Sequence, residues 1–158
     1  MKLDLCGGEY PIGNGFTSID IKPYPKVKVV CNLEYNLPFK EESIEEIFSC
    51  GTIEHFSLKE VLFILKECKR ILKRDGKISI GIPNLMAIID YPNSIDFMTI
   101  NYYLYGSHKD KYDIHKSIFD FKNLSLFLRT AGFKRIRKQP YDMPFHIKEY
   151  MLKVTALA

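Results

Sequence analysis

The stretch LDLCGG, residues 3–8, constrains the fold more than any other part of the chain. Leu3, Asp4 and Leu5 read as a short strand, and Gly7-Gly8 supplies a tight turn at its end. In open α/β sheets a small-residue turn after the first strand lies where nucleotide-like ligands bind, and it normally feeds a helix. Here the following residues, EYPIGNGF (9–16), carry no helical pattern. Eight residues span about 26–29 Å when extended, against roughly 17 Å for a five-residue strand. A parallel return without a helix is therefore feasible, although such crossovers usually take a dozen residues or more.

Further strands are expected at TSIDI (17–21), KVKVVC (26–31), EEIFSC (45–50) and KISIGI (77–82). Between the last two, residues 57–73 read as the clearest helix, with Leu58, Val61, Leu62, Leu65, Cys68 and Leu72 on one stripe. Ser57 and Glu60 fit a capping box at its start, and Asp75-Gly76 supplies the stop. Residues 84–120 are irregular and aromatic, with helical character around Asp96–Tyr105. A second amphipathic helix runs over 122–133, and KRIRKQ (134–139) with EYMLKVTALA (149–158) suits a closing hairpin. This is an α/β order within one domain, 1–158.

The strands alternate. Leu3/Leu5, Ile19/Ile21, Val27/Val29, Ile78/Ile80/Ile82 and Ile136 lie on one side; Lys2/Asp4, Ser18/Asp20, Lys28, Lys77/Ser79 and Arg135/Arg137 lie on the other. The expectation is a Rossmann-like, mostly parallel sheet with a C-terminal antiparallel hairpin and helices mainly on one face. Its second face is bare or covered by a partner.

Composition narrows the classes. Lys and Arg total 23 against 19 Asp and Glu, a net charge of +4 that does not by itself predict nucleic-acid binding. No apolar run reaches membrane-spanning length and the N-terminus has no leader-like stretch, so a cytoplasmic, non-membrane setting is expected. Cys6, Cys31, Cys50 and Cys68 form no CxxC, which argues against disulfides and structural zinc, and no metal is expected.

Six segments in order resemble the class I S-adenosylmethionine-dependent methyltransferases, of the compact methyltransferase-11-like sort. LDLCGG resembles the LDLGCG loop, SIDI places Asp20 at the acidic position, and CNLEYNLPF resembles DLxxLPF. SIEEIFSCGTIEHF, ECKRILKRDGKISIGIPN and LRTAGF resemble the family's later strand, helix–strand and helix-end motifs. The resemblance implies S-adenosyl-L-methionine as cofactor, with its methionine part at Asp4, Cys6, Gly7 and Gly8. It implies ribose hydroxyls at Asp20, adenine among Ile21, Asn32 and Leu33, and the crevice continued by Cys50 and Gly51. A dinucleotide is disfavoured, because its pyrophosphate needs the helix N-terminus missing after Gly8.

The chain departs from the pattern in three ways. Cys6 replaces a glycine, Asn32 replaces an acidic residue, and the family's helices after strands one and two cannot be read here. Methyl transfer relies on alignment, with a base needed only where the acceptor must lose a proton. His55, just past strand four, and His115, in the acceptor or lid segment 84–120, are the candidates, each against the plainer reading of a packed histidine. Tyr102, Tyr103, Tyr105 and Tyr112 stack on an acceptor or simply pack. The cysteines near strand ends are either buried thiols or a labile cluster. The acceptor implied is a small molecule or glycan precursor rather than RNA. Two further readings stay open: a catalytically inactive binding or scaffold subunit of this fold, and a homodimer through the bare sheet face.

Overall fold

The computed structural model describes residues 1–90, 96–143 and 146–158. Its strands are β1 (Lys2–Leu5), β2 (Phe16–Asp20), β3 (Val29–Val30), β4 (Ile44–Cys50), β5 (Leu72–Pro83), β6 (Lys134–Gln139) and β7 (Met151–Leu157). The helices are α1 (Leu58–Ile71), α2 (Leu85–Asp90), α3 (Phe97–Tyr105) and α4 (Phe121–Thr130), with 3-10 turns at Ile53–His55 and Lys148–Tyr150. All seven strands join one sheet in the order β3-β2-β1-β4-β5-β7-β6. The first five are parallel, while β7 runs antiparallel to both β5 and β6. The order reverses beside β1, which makes the β1 and β4 ends the switch point of the sheet.

The return from β1 to β2 needs no helix because the loop folds back through left-handed residues. Cys6, Gly8, Gly13, Asn14 and Gly15 all have φ between +48° and +81°. Gly7 is required for a different reason. A Cβ there would stand 2.6 Å from both Asp4 Oδ2 and Ser18 Oγ.

The apolar sides of the strands form one core with α1 and α4. Leu3, Leu5, Ile19, Ile47, Ile78, Ile80 and Ile82 are buried against Val61, Ile64, Leu65, Cys68 and Ile71 of α1 and against Leu124 and Leu128 of α4. Each full burial of a large aliphatic side chain contributes about 1.5–3 kcal/mol. The capping box at Ser57 and Glu60 is present.

Several boundaries differ from expectation. Leu58 is 51% exposed and the inward stripe runs instead through Ile64 and Ile71. The α1 helix ends at Ile71, and β5 begins at once, so Asp75-Gly76 is a kink inside β5 rather than a stop before it; Asp75 has φ +59°. β3 keeps only two of six expected residues, since its pairing with β2 covers only Ile19–Asp20. The last strand starts two residues late, after the turn Lys148–Tyr150. Part of the expected 84–120 segment, 91–95, lies outside the described residues.

The second sheet face is covered by the chain itself at its upper end. Ile12 N–H donates to Asp4 Oδ2 at 2.9 Å, and a Cβ on Gly81 would meet Met143 Sδ, so two loops lie over this end. Asp4, Ser18, Asp20 and Ser79 are consequently buried rather than solvated, which corrects the wholly bare face. The lower end stays open, and there Lys2 and Lys77 both pair with Glu46, at 2.8 and 2.6 Å.

Candidate active site

The turn after β1 and the acidic end of β2 meet directly. Gly8 N–H donates to Asp20 Oδ2 at 3.1 Å, and Lys22 N–H donates to Asp20 Oδ1 at 2.9 Å. A carboxylate offers about four acceptor sites, so both oxygens keep capacity for a ligand's hydroxyls. A Cβ placed on Gly8 would meet nothing within 4 Å, so the turn faces open space.

That space is a cavity of about 300 Å³, lined by Cys6, Gly8, Asp20, Ile21, Asn32, Leu33 and Gly51 among others. A second cavity of about 210 Å³ shares Cys6 and Gly8 and is lined also by Asp4, Gly7 and Cys50. Every residue the resemblance assigns to the cofactor therefore borders one of two adjoining cavities. The donors fit the group: backbone laid open by glycine, a carboxylate, and an apolar flank at Ile21 and Leu33. Asn32 differs in chemistry: its side-chain carbonyl oxygen accepts Glu34 N–H at 3.0 Å in a local turn, which leaves one lone pair for a ligand.

Asp4 is 2% exposed, and burial pushes its carboxyl up to about 6. Burial likewise raises the thiols of Cys6 and Cys31 and pushes Cys50 up to about 12. These thiols are held protonated, and Cys50 sits 3.4 Å from the Tyr141 hydroxyl. Cys6, Cys31 and Cys50 are half-buried and border the cavities, while Cys68 is buried in the core.

Past β4 the chain turns sharply at Gly51, φ +62°, into the 3-10 turn Ile53–His55. Thr52 Oγ1 donates to the Leu5 carbonyl at 3.1 Å and ties this turn to the end of β1. The Glu54 carbonyl accepts two backbone bonds, from Lys116 at 2.8 Å and Ser117 at 3.1 Å. That pinning brings His115 against His55, with ring centroids 4.8 Å apart, edge to face. Burial lowers both imidazoles, His115 to about 4, so both are neutral bases at neutral pH. His55 lines the larger cavity; His115 stands behind it.

Lys22, Asp110 and His146 border the two cavities and carried no signal in sequence, whereas Tyr112 was a stacking candidate. Lys22 pairs with Asp110, 88 positions away, and lies over the Tyr24 and Tyr112 rings at 5.9 and 5.5 Å. Lys22, Asp110 and Tyr112 all line the cavity, so the segment after α3 is strapped to the end of β2 across it. His146 sits near Gly51, its Nε2 being 3.1 Å from where a Cβ would lie. Of the tyrosines, Tyr103 is core, its hydroxyl accepting from Ile147 N–H at 2.9 Å, whereas Tyr112 faces the cavity.

A seven-stranded sheet of this order, with a cavity at its switch point, is a Rossmann-like α/β fold. Residues 14–80 match the family model described as a methyltransferase domain. No curated protein matches the chain. Among solved structures, a SAM-dependent methyltransferase from Archaeoglobus fulgidus is similar with TM-score 0.68 at 16% identity, over 99% of this chain and 85% of that one. One from Methanosarcina mazei gives 0.66 at 19%, over 99% and 91%, and one from Aquifex aeolicus gives 0.59 at 18%, over 99% and 80%. At these identities the likeness is one of fold.

Proposed function

We propose that this chain transfers a methyl group from S-adenosyl-L-methionine to a small-molecule or glycan-precursor acceptor. The observation that carries the reading is the Gly8–Asp20 contact at the head of a cavity that the protein's own side chains leave open. When bound, the cofactor supplies a methyl group on a sulfonium, which needs alignment more than activation. Asp20 accepts the ribose hydroxyls, Gly7 and Gly8 let backbone approach the methionine part, and Ile21 and Leu33 flank the base. Neutral His55 lines the acceptor side of the cavity and is the group to take a proton from an acceptor that must lose one, with His115 behind it.

RNA is the weaker choice of acceptor. On the open sheet face Lys2 and Lys77 both pair with Glu46, which offsets one of their two charges. Among the described residues no helix is long and apolar enough to cross a membrane, which agrees with an acceptor taken from solution. The second reading, a scaffold of this fold that does not catalyse, is favoured by Cys6 holding a strained φ of +54° where the family has glycine.

Calorimetric titration with S-adenosyl-L-methionine separates the two. Micromolar binding that Asp20→Ala weakens by about 10–100-fold (roughly 1.4–2.8 kcal/mol) is expected for the enzyme. Absence of binding by the wild-type chain would leave the scaffold.

A further inference from the structure

We propose that Glu54, His55 and His115 bind a divalent transition-metal ion beside the larger cavity. Each of the three offers one ligand atom, and these atoms lie within 4.8 Å of one another. Around a zinc-sized ion at about 2.1 Å the ligands stand about 3.4 Å apart, so donors at the full 4.8 Å need to close by about 1.4 Å.

Three observations favour an ion over simple packing. Glu54 is 2% exposed, yet its Oε2 is buried with no hydrogen-bond partner among the described residues, and no ion pair reaches it there. Backbone N–H groups of Thr52 and Glu54 reach this carboxyl but leave Oε2 unsatisfied, which is costly when buried, and a cation there removes that cost. His55 Nδ1 is likewise buried and unpartnered. His115 Nδ1, by contrast, lies 2.9 Å from the Tyr103 carbonyl oxygen, which fixes the proton on that nitrogen and leaves Nε2 with its lone pair. A backbone carbonyl holding the far nitrogen is the usual support behind a metal-ligating imidazole.

Two imidazoles and one carboxylate suit zinc, manganese, iron(II), cobalt or nickel. Three protein ligands leave open positions, where a hydroxyl of the acceptor can bind and lose its proton to solvent near neutral pH. That use rests on the methyltransferase reading, and it makes the histidines ligands instead of bases. The binding of the ion does not rest on it.

Cobalt(II) titration of the chain without S-adenosyl-L-methionine, followed by visible absorption and calorimetry, tests the site. One equivalent is expected to bind with ligand-field bands and no thiolate charge-transfer band. Binding should weaken at least about tenfold in Glu54→Gln and in His115→Ala. Circular dichroism melts and cofactor titration of the same variants show whether they remain folded. Failure of the wild-type chain to bind cobalt, binding untouched by both substitutions, or a thiolate band from the cysteines would overturn the proposal. Because the cofactor titration is separate, loss of one reading leaves the other standing.

Discussion

Gly7 and Gly8 are adjacent and do different things. A Cβ on Gly7 would collide with Asp4, Ser18 and Pro11, at 2.6, 2.6 and 2.9 Å, whereas Gly8 has open space and φ +57°. Gly7→Ala is therefore expected to lower stability by about 2 kcal/mol through overpacking. Gly8→Ala should cost about 1 kcal/mol in backbone strain and reduce cofactor affinity more than stability. Urea denaturation beside cofactor titration checks both, and equal stability losses would contradict the distinction. Asp4 adds a pH dependence. Its carboxyl lies at about 6 when folded against an ordinary 3.8, so between those values the folded chain keeps a proton that the unfolded chain has released. Stability from this group is greatest below pH 4, falls as pH rises to about 6, and is flat above. The full effect is at most about 3 kcal/mol. Asp4→Asn should lack that slope, gaining on the wild type between pH 4 and 7 in thermal melts; parallel curves would exclude it.

Between elements, the motif ECKR on α1 acts as a clamp on the loop that borders the cavity. Glu67 accepts from Arg70 Nε and Nη2, both at 2.8 Å, and from Leu37 N–H at 2.9 Å. Arg70 in turn donates to the carbonyls of Phe39 and Leu37 at 3.0 and 3.2 Å. Glu67 is 7% exposed, so Arg70→Ala would leave its charge with the Leu37 N–H alone and take the Arg70 donor from the Phe39 carbonyl, while the Leu37 carbonyl keeps Phe39 N–H. The expected loss is about 2 kcal/mol, between an exposed and a fully buried pair, with a further weakening of cofactor binding because Asn32 and Leu33 begin the clamped loop. A variant with unchanged denaturation midpoint would show the clamp to be incidental. The same pair lies three residues apart on one helix turn and was legible in sequence as a motif. Its target, the 37–39 backbone, was not, because nothing local to α1 specifies which loop passes over it.

For the molecule as a whole, the Lys22–Asp110 pair joins the N-terminal half of the sheet to the segment that closes the cavity. Both side chains are about one-third exposed, so the pair contributes little to stability, under about 1 kcal/mol. Its consequence is kinetic. Asp110→Asn is expected to speed dissociation of bound cofactor several-fold, with the melting temperature nearly unchanged. Stopped-flow displacement measures the first, and an unaltered off-rate would remove the strap from any role in closure.

The strand alternation, the capping box and the glycine turn were legible in order along the chain, because each depends on neighbours within a few residues. They set the strands, the helix start and the turn, while the sharing of one site by Gly8 and Asp20 was implied by the family resemblance rather than by any local pattern. Asn32 was legible as a pocket residue but not as one whose side-chain carbonyl also accepts Glu34 N–H in a turn. What only tertiary structure decided is the chemistry beyond β4. Glu54 and His115 are 61 positions apart, and they meet because the Glu54 carbonyl accepts the Lys116 and Ser117 N–H groups. The burial of Glu54 and the neutrality of both histidines follow from that long-range contact. A titrating group's charge is set by what surrounds it, and no local pattern records those surroundings.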